Sequence, residues 1–253
     1  MVQRGQFLER SVVVKSGELS LDALYHRGRR APPCVIAAPH PALGGSMAVP
    51  AIAELAWALT RAGFPTLRFD YRGVGASRGR SRHPAGAARI ANVEDELQDL
   101  RAAVEQLVQS TRAQDACVVG YSFGAAVALA AARDAKVSRL VLIAPPTTAW
   151  DFSALASLDK PLLVVCAHDD ALCDRSHLKL AAGAQLAVIA HADHSFRRGL
   201  QELGKTVASW VGGGPPRSDL PVAAEAFDPG EGNMVRELEL PESDGPALEL
   251  DDT

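Results

Sequence analysis

Hydrophobic and polar positions alternate with two different periods along the first two hundred residues. Residues 7–17 and 18–28 alternate apolar and polar positions and meet near a glycine, which predicts an antiparallel hairpin. Later runs are continuously apolar and are separated by amphipathic stretches of helix length. The further predicted strands are 34–40, 64–70, 116–120, 138–145, 161–167 and 184–190. The predicted helices are 45–63, 89–109, 124–134 and 195–211.

Continuous apolar strands separated by helices are typical of a mostly parallel sheet that is covered on both faces. The sequence therefore predicts an α/β fold, a three-layer α/β/α sandwich with an antiparallel edge at its N-terminal end. The spacing between the ends of the strands 161–167 and 184–190 suits one strand–helix unit.

The composition changes near residue 212. The stretch VGGGPPRSDLP is rich in glycine and proline, and no helical or strand period continues beyond it. Residues 217–253 hold eleven acidic and two basic residues, a net −9, which leaves +5 for the rest of a chain whose total is −4. We expect a folded catalytic domain over residues 1–211 and an acidic, disordered tail over residues 212–253, which lacks apolar surface to offset its ordering entropy.

Several classes of protein are disfavoured by the bulk numbers. The first ten residues carry charges and no apolar run, and the longest apolar stretch has eight residues, which argues against a signal peptide and a membrane span. A pI near 6.0 without interleaved aromatic residues disfavours nucleic-acid binding. The four cysteines are scattered, which favours reduced thiols and a cytoplasmic protein.

The pattern G-x-S-x-G occurs twice, in GASRG around Ser77 and in GYSFG around Ser122. A nucleophile elbow needs a strand that stops abruptly and a helix that starts at once, with glycines where neighbouring backbone passes close by. Both conditions hold around Ser122. Ser77 is followed by glycines and a proline, which cannot start a helix. Ser122 is therefore the candidate nucleophile, although a helix-capping role would also explain its position.

Candidate partners follow in the order acid, then histidine, each after a predicted strand. Asp169 and Asp170 follow one strand, and His191 and His194 follow the next. A neutral imidazole can accept the serine proton, and a carboxylate can orient that imidazole. A metal site among the nearby Cys, His and Asp residues is disfavoured, because it would consume the acid of this triad, and no cofactor is expected.

An acyl-transfer site also needs donors for a developing oxyanion. The backbone N–H of Phe123 is the first candidate, and the second should lie in the loop PHPALGGSM. Ala42 is the expected second donor, with Leu43 next, and His40 is expected to shape the loop.

These motifs, with RAGFPTLRFDYRGVGASRG, LIAPP, DFS and ADHSF, resemble a family of small bacterial α/β-hydrolases over roughly residues 34–211. The resemblance implies the α/β-hydrolase fold, Ser122 as nucleophile and His194 as base. It implies Asp170 rather than Asp169 as acid, although Ala167 and Asp174 stand where relatives have glycine and proline. The short link between the strands 138–145 and 161–167 resembles that of members without a lid domain.

The preferred hypothesis is a serine hydrolase that cleaves a small ester, thioester or amide through an acyl-enzyme. The alternative is a silent hydrolase fold that binds a partner through its acidic tail. The expected pocket rim consists of His40, Leu43, Tyr121, Trp150 and Phe152, with core packing as an alternative for the last two. An arginine cluster is interpreted as a solvated loop or as a docking surface for the acidic tail. It comprises Arg72, Arg78, Arg80, Arg82 and Arg89.

Overall fold

A computed structural model of the chain describes residues 9–83 and 92–216. The strands of this part form a single eight-stranded sheet in the order β1-β2-β4-β3-β5-β6-β7-β8. The strands are β1 (Arg10–Ser16), β2 (Leu19–His26), β3 (Cys34–Ala37), β4 (Thr66–Phe69), β5 (Ala116–Tyr121), β6 (Val137–Ile143), β7 (Leu162–Ala167) and β8 (Gln185–Ile189). β1 and β2 pair antiparallel, and β3 to β8 are parallel to one another. The mostly parallel sheet and its antiparallel N-terminal edge are confirmed.

The sheet is covered on both faces by helices. These are α1 (Pro50–Arg61), α2 (Glu94–Thr111), α3 (Phe123–Ala130) and α4 (Leu200–Val211). The apolar faces of α2 and α3 pack in one core cluster on one side of the sheet, and those of α1 and α4 pack in a second cluster on the other side. The alternating apolar positions of the strands divide between these two clusters, so the three-layer prediction is confirmed.

Three helices begin later than the sequence pattern suggests, among them α2, which begins at Glu94 rather than at residue 89. α1 begins at Pro50 rather than at residue 45, because a proline is favoured in the first helical turn and the preceding residues form a loop. α4 begins at Leu200, because Gly199 adopts a left-handed conformation with φ 77°. Gly63, with φ 92°, follows the end of α1 as predicted.

The predicted strand–helix unit between β7 and β8 is wrong, whereas the short link between β6 and β7 agrees with the predicted absence of a lid domain. Between β6 and β7 the chain forms only a 3-10 turn at Ser153–Ser157, and between β7 and β8 only another at Arg175–His177. Leu178 and Leu180 cover part of the core there in place of a helix. The link from β6 to β7 is thus a short loop with no inserted domain.

The last helix, α4, ends at Val211, the residue at which the folded domain is predicted to end. Residues 212–216 remain attached to the body, where the Ser209 hydroxyl donates to the Pro215 carbonyl at 2.6 Å. The predicted disorder of the tail beyond them lies outside the described residues. Among the helices of the described part, none combines the length and apolar character needed to cross a bilayer.

Candidate active site

Ser122 lies at the sharp turn between β5 and α3. Its backbone has φ 55° and ψ −117°, a conformation that residues other than glycine rarely adopt. A Cβ on Gly120 would lie 2.2 Å from the Gly124 carbonyl oxygen, and a Cβ on Gly124 would lie 2.3 Å from the Ala37 carbonyl oxygen. The two glycines therefore let this turn pack directly against its own helix and against β3, which holds Ser122 at the C-terminal end of the sheet.

Ser77, in the second copy of the pattern, has a structural role. It is 7% exposed, and its hydroxyl donates to the Asp70 carbonyl at 2.7 Å and accepts from the Asp22 N–H at 2.8 Å. Both hydrogen-bonding capacities of the hydroxyl are used to tie the loop after β4 to β2, so Ser77 is not available as a nucleophile.

The structure brings Ser122, His194 and Asp170 into one hydrogen-bonded chain. Ser122 Oγ lies 2.9 Å from His194 Nε2. His194 Nδ1 lies 2.9 Å and 2.8 Å from the two carboxylate oxygens of Asp170. The other two candidates lie outside this chain: Asp169 is exposed and contacts the ring of His168, and His191 is exposed beyond β8.

The Asp170 side chain has no solvent-exposed surface. Its Oδ1 accepts hydrogen bonds from the N–H groups of Leu172 at 2.9 Å and Cys173 at 3.2 Å. These donors fix the orientation of the carboxylate. An ionised Asp170 holds the proton of neutral His194 on Nδ1, which leaves Nε2 free to accept the proton of Ser122.

Tyr121 is buried and holds the main chain of His194 through a hydrogen bond. The predicted place of Tyr121 on the pocket rim is therefore wrong. The side chain is buried, and its hydroxyl donates to the His194 carbonyl at 2.7 Å. Burial raises the pKa of Tyr121, with smaller contributions from the charges of Asp170 and Asp193. The hydroxyl therefore stays protonated and keeps its role as donor.

The two predicted oxyanion donors differ in whether their N–H group already has a hydrogen-bond acceptor. Phe123 is the first residue of α3, so the helix leaves its N–H without an intrahelical acceptor. The Ala42 N–H donates to His40 Nδ1 at 3.1 Å, and the alternative donor Leu43 N–H bonds to the His40 carbonyl at 3.1 Å. Both N–H groups are thus bonded in this state, because the His40 ring caps the 3-10 turn Pro41–Leu43, and the role of Ala42 as second oxyanion donor stays a prediction.

His40 shapes this loop rather than lining the rim. It is 5% exposed, and its ring lies 4.7 Å from the rings of both His83 and Phe123, measured between centroids. Because Nδ1 accepts the Ala42 N–H, the ring is neutral with its proton on Nε2. Burial, and then the nearby His83, lower the pKa of His40 to about 4.

This lowered pKa predicts a loss of stability in acid. The unfolded chain protonates His40 near pH 6.5, whereas the folded chain resists protonation down to about pH 4, so the stabilisation is complete above pH 6.5 and is lost as the pH falls toward 4. The side-chain oxygen of asparagine can still accept the Ala42 N–H. We therefore expect His40→Asn to lose about 1–3 kcal/mol less of its free energy of unfolding between pH 8 and pH 4.5 than the wild type does. Denaturant unfolding of both proteins at pH 8 and pH 4.5 measures the difference. An equal loss of unfolding free energy between the two pH values in both proteins would contradict the lowered pKa of His40.

The remaining predicted rim residues occupy different environments. Leu43 is 57% exposed and lies on the loop after β3, as expected of a rim residue. Phe152 is 3% exposed and belongs to the core, so its rim placement is a wrong prediction. Trp150 is partly buried against the same core cluster.

Arg72 cannot take part in an arginine docking surface. Its guanidinium donates to both carboxylate oxygens of Asp99 and to Asp95 at 2.8 Å, and it is buried. Arg82 also contacts Asp95. Arg78 and Arg80 are exposed, whereas Arg89 lies outside the described residues. Docking of the acidic tail on this loop stays a prediction, and Arg72 no longer belongs to the predicted docking surface.

Some residues that support the site were missed in the sequence. Thr148 donates from its N–H and its hydroxyl to the Leu172 carbonyl, and Thr147 donates to the Asp174 carbonyl at 2.9 Å. These bonds tie the loop after β6 to the loop that carries Asp170. Threonines in a loop give no specific signal for such a contact. Within residues 9–83 and 92–216, no three side chains of His, Cys, Asp or Glu form a group that could hold a metal ion.

Comparison with known proteins gives a consistent picture. A family model described as serine aminopeptidase, S33, matches residues 44–158, a stretch that contains Ser122. An uncharacterized protein of Rickettsia prowazekii is 27% identical over 200 residues, which is 72% of this chain and 79% of that protein.

Two similar solved structures come from bacteria. An α/β serine hydrolase homologue from Coxiella burnetii is 27% identical, with a TM-score of 0.68 over 79% of this chain and 95% of its own. An α/β serine hydrolase without a lid, from Xanthomonas campestris, is 26% identical, with a TM-score of 0.66 over 80% of this chain and 93% of its own. Because this fold is shared over nearly the whole length of such structures, the chain belongs to the α/β-hydrolase superfamily, in its form without a lid.

Proposed function

We propose that this hydrolase is a serine hydrolase that cleaves a small ester, thioester or amide through an acyl-enzyme. The single observation that carries the proposal is the continuous chain from Ser122 Oγ through both ring nitrogens of His194 to the buried carboxylate of Asp170. A serine that only capped a helix would need neither of the other two groups. The assignment of Ser122 to a strained elbow supports the same role.

In the proposed reaction, Ser122 Oγ attacks the acyl carbon while His194 Nε2 takes the hydroxyl proton. The negative charge of Asp170 stabilises the resulting imidazolium. The Phe123 N–H donates one hydrogen bond to the oxyanion. A backbone N–H of the 39–47 loop leaves His40 and donates the second hydrogen bond to the oxyanion. The imidazolium then protonates the leaving group, and a water molecule activated by His194 releases the acid product from Ser122.

The open surroundings of the site favour short acyl groups or the exposed end of a larger substrate. The link from β6 to β7 contains only a 3-10 turn and no inserted helices that would form a lid, and Ser122 is partly exposed. Leu43 and Leu172 are 57% and 43% exposed on the two loops that border the site, which favours an apolar acyl group. The aminopeptidase description belongs to the matched family, and for this chain an amide substrate is one of three proposed classes.

Steady-state hydrolysis of p-nitrophenyl esters from acetate to dodecanoate tests the proposal. We expect turnover with the short esters, a decline at long chain lengths, and a fall to the uncatalysed background in Ser122→Ala. Turnover that survives unchanged in folded Ser122→Ala would refute the proposed nucleophile. Absence of turnover with esters, thioesters and aminoacyl amides in folded wild type would refute the function.

A further inference from the structure

One peptide segment at the end of the 39–47 loop is held by a side chain of β4 and by a side chain just beyond its end. Asp70 Oδ1 accepts a hydrogen bond from the Met47 N–H at 2.6 Å. Arg68 Nη1 donates to the Met47 carbonyl at 2.8 Å. The main chain of Met47 is thus fixed on both sides by residues at and just beyond the end of β4.

Both side chains are themselves fixed. Arg68 is 7% exposed and Asp70 is 5% exposed, and Arg68 also contacts the carboxylate of Glu9. The Asp70 carbonyl accepts from the Ser77 hydroxyl, and a Cβ on Gly75 would lie 2.7 Å from Asp70 Oδ2. This clamp, defined as Arg68 and Asp70 on the Met47 main chain, is therefore rigid and closely packed.

The loop leading to Met47 has a second fixed point at Gly45. A Cβ there would lie 2.2 Å from the Pro39 carbonyl oxygen, and the Gly45 N–H donates to the His40 carbonyl at 2.9 Å. The N–H groups of Ala42 and Leu43, which must reorient to reach an oxyanion, lie just before Gly45, in the turn that the bond from Gly45 to His40 closes. Oxyanion donors act through preorganised geometry, and a shift of about 1 Å can cost about 100-fold in rate.

We propose that Asp70 and Arg68 are positioning residues that set the oxyanion loop against Ser122 through the Met47 main chain. The proposal rests on the proposed serine hydrolase function. The clamp fixes the end of the loop, while the bonds of the 3-10 turn at its tip can exchange. It contacts neither the triad nor the place where an acyl group would lie, so its loss should affect the transition state more than substrate binding.

The test compares Asp70→Ala with Asp70→Asn. The amide oxygen of asparagine can still accept the Met47 N–H, and the neutral side chain is tolerated because burial raises the pKa of Asp70. We expect Asp70→Ala to lower kcat by about 10- to 100-fold with KM changed by less than about threefold. Asp70→Asn should stay within about threefold of wild type. Ser16→Ala, which removes the buried hydrogen bond from Ser16 to Asp99 and no hydrogen bond of Met47, Arg68 or Asp70, is the control for general destabilisation and should keep kcat.

Amide hydrogen exchange of the 39–47 loop, measured by NMR, shows without any substrate how firmly the clamp holds the loop. We expect faster exchange at Met47 and along the loop in Asp70→Ala, and near wild-type exchange in Asp70→Asn. Unchanged exchange in folded Asp70→Ala would overturn the proposal, as would faster exchange with unchanged kcat, or an equal loss of kcat in Ser16→Ala. If wild type hydrolyses nothing, the proposed function fails and the catalytic role of the clamp fails with it, while exchange still shows whether the clamp holds the loop.

Discussion

Replacing His194 with glutamine is expected to lower kcat by about 10⁵- to 10⁶-fold. Glutamine keeps a polar side chain of similar length but has no group that can accept the Ser122 proton and then return it to the leaving group. His194 Nε2 lies 2.9 Å from Ser122 Oγ, so the loss removes the base from the nucleophile directly. Single-turnover kinetics with the best ester of the p-nitrophenyl series measures the acylation step.

His191→Gln is the matched control for this variant. His191 follows the same strand, is exposed, and takes no part in the chain of hydrogen bonds from Ser122 to Asp170. We expect its kcat to stay within about twofold of wild type, as is usual for a surface substitution. A His191→Gln variant that loses activity while His194→Gln keeps it would reverse the assignment of the base.

Asp170→Asn is expected to lower kcat by about 10⁴-fold with little change in fold. Oδ1 of Asp170 accepts two backbone N–H groups, so the oxygen of the asparagine amide must occupy that place. The amide nitrogen then replaces Oδ2, which lies 2.8 Å from His194 Nδ1. A donor at this position forces the ring proton onto Nε2, the wrong tautomer for accepting a proton from Ser122.

Asp169→Asn supplies the control for Asp170→Asn. The Asp169 side chain is 62% exposed and contacts only the neighbouring His168 among the ion pairs of the described residues. We expect at most a twofold change in kcat. Circular dichroism and melting temperatures of both variants show whether any loss reflects unfolding. Comparable losses in the two would contradict a unique role for Asp170.

The succession of strands along the chain and the choice between the two serines could be predicted because they depend on local signals. Apolar runs, glycines on both sides of Ser122 and the absence of a helix after Ser77 are all visible in the sequence. The missing helix between β7 and β8 could not be predicted from spacing, because the length of a connection does not show whether it folds into a helix.

The state of the oxyanion loop depended on side-chain contacts that span few residues but have no sequence signature. The Ala42 N–H is bonded because the ring of His40, two residues earlier, happens to cap the turn. Arg72 gave a stronger signal that went unused: Asp95 and Asp99 are four residues apart on a helix, and this spacing places both carboxylates on one face toward a single cation.

Covalent labelling with a fluorophosphonate probe, followed by peptide mapping, tests the central claim most directly. The probe forms a stable adduct with a serine only when a base activates it and donors accept the developing charge. The account predicts a single adduct on Ser122 in wild type and none in Ser122→Ala. An adduct on Ser77 or another residue, or no adduct in folded wild type, would contradict it.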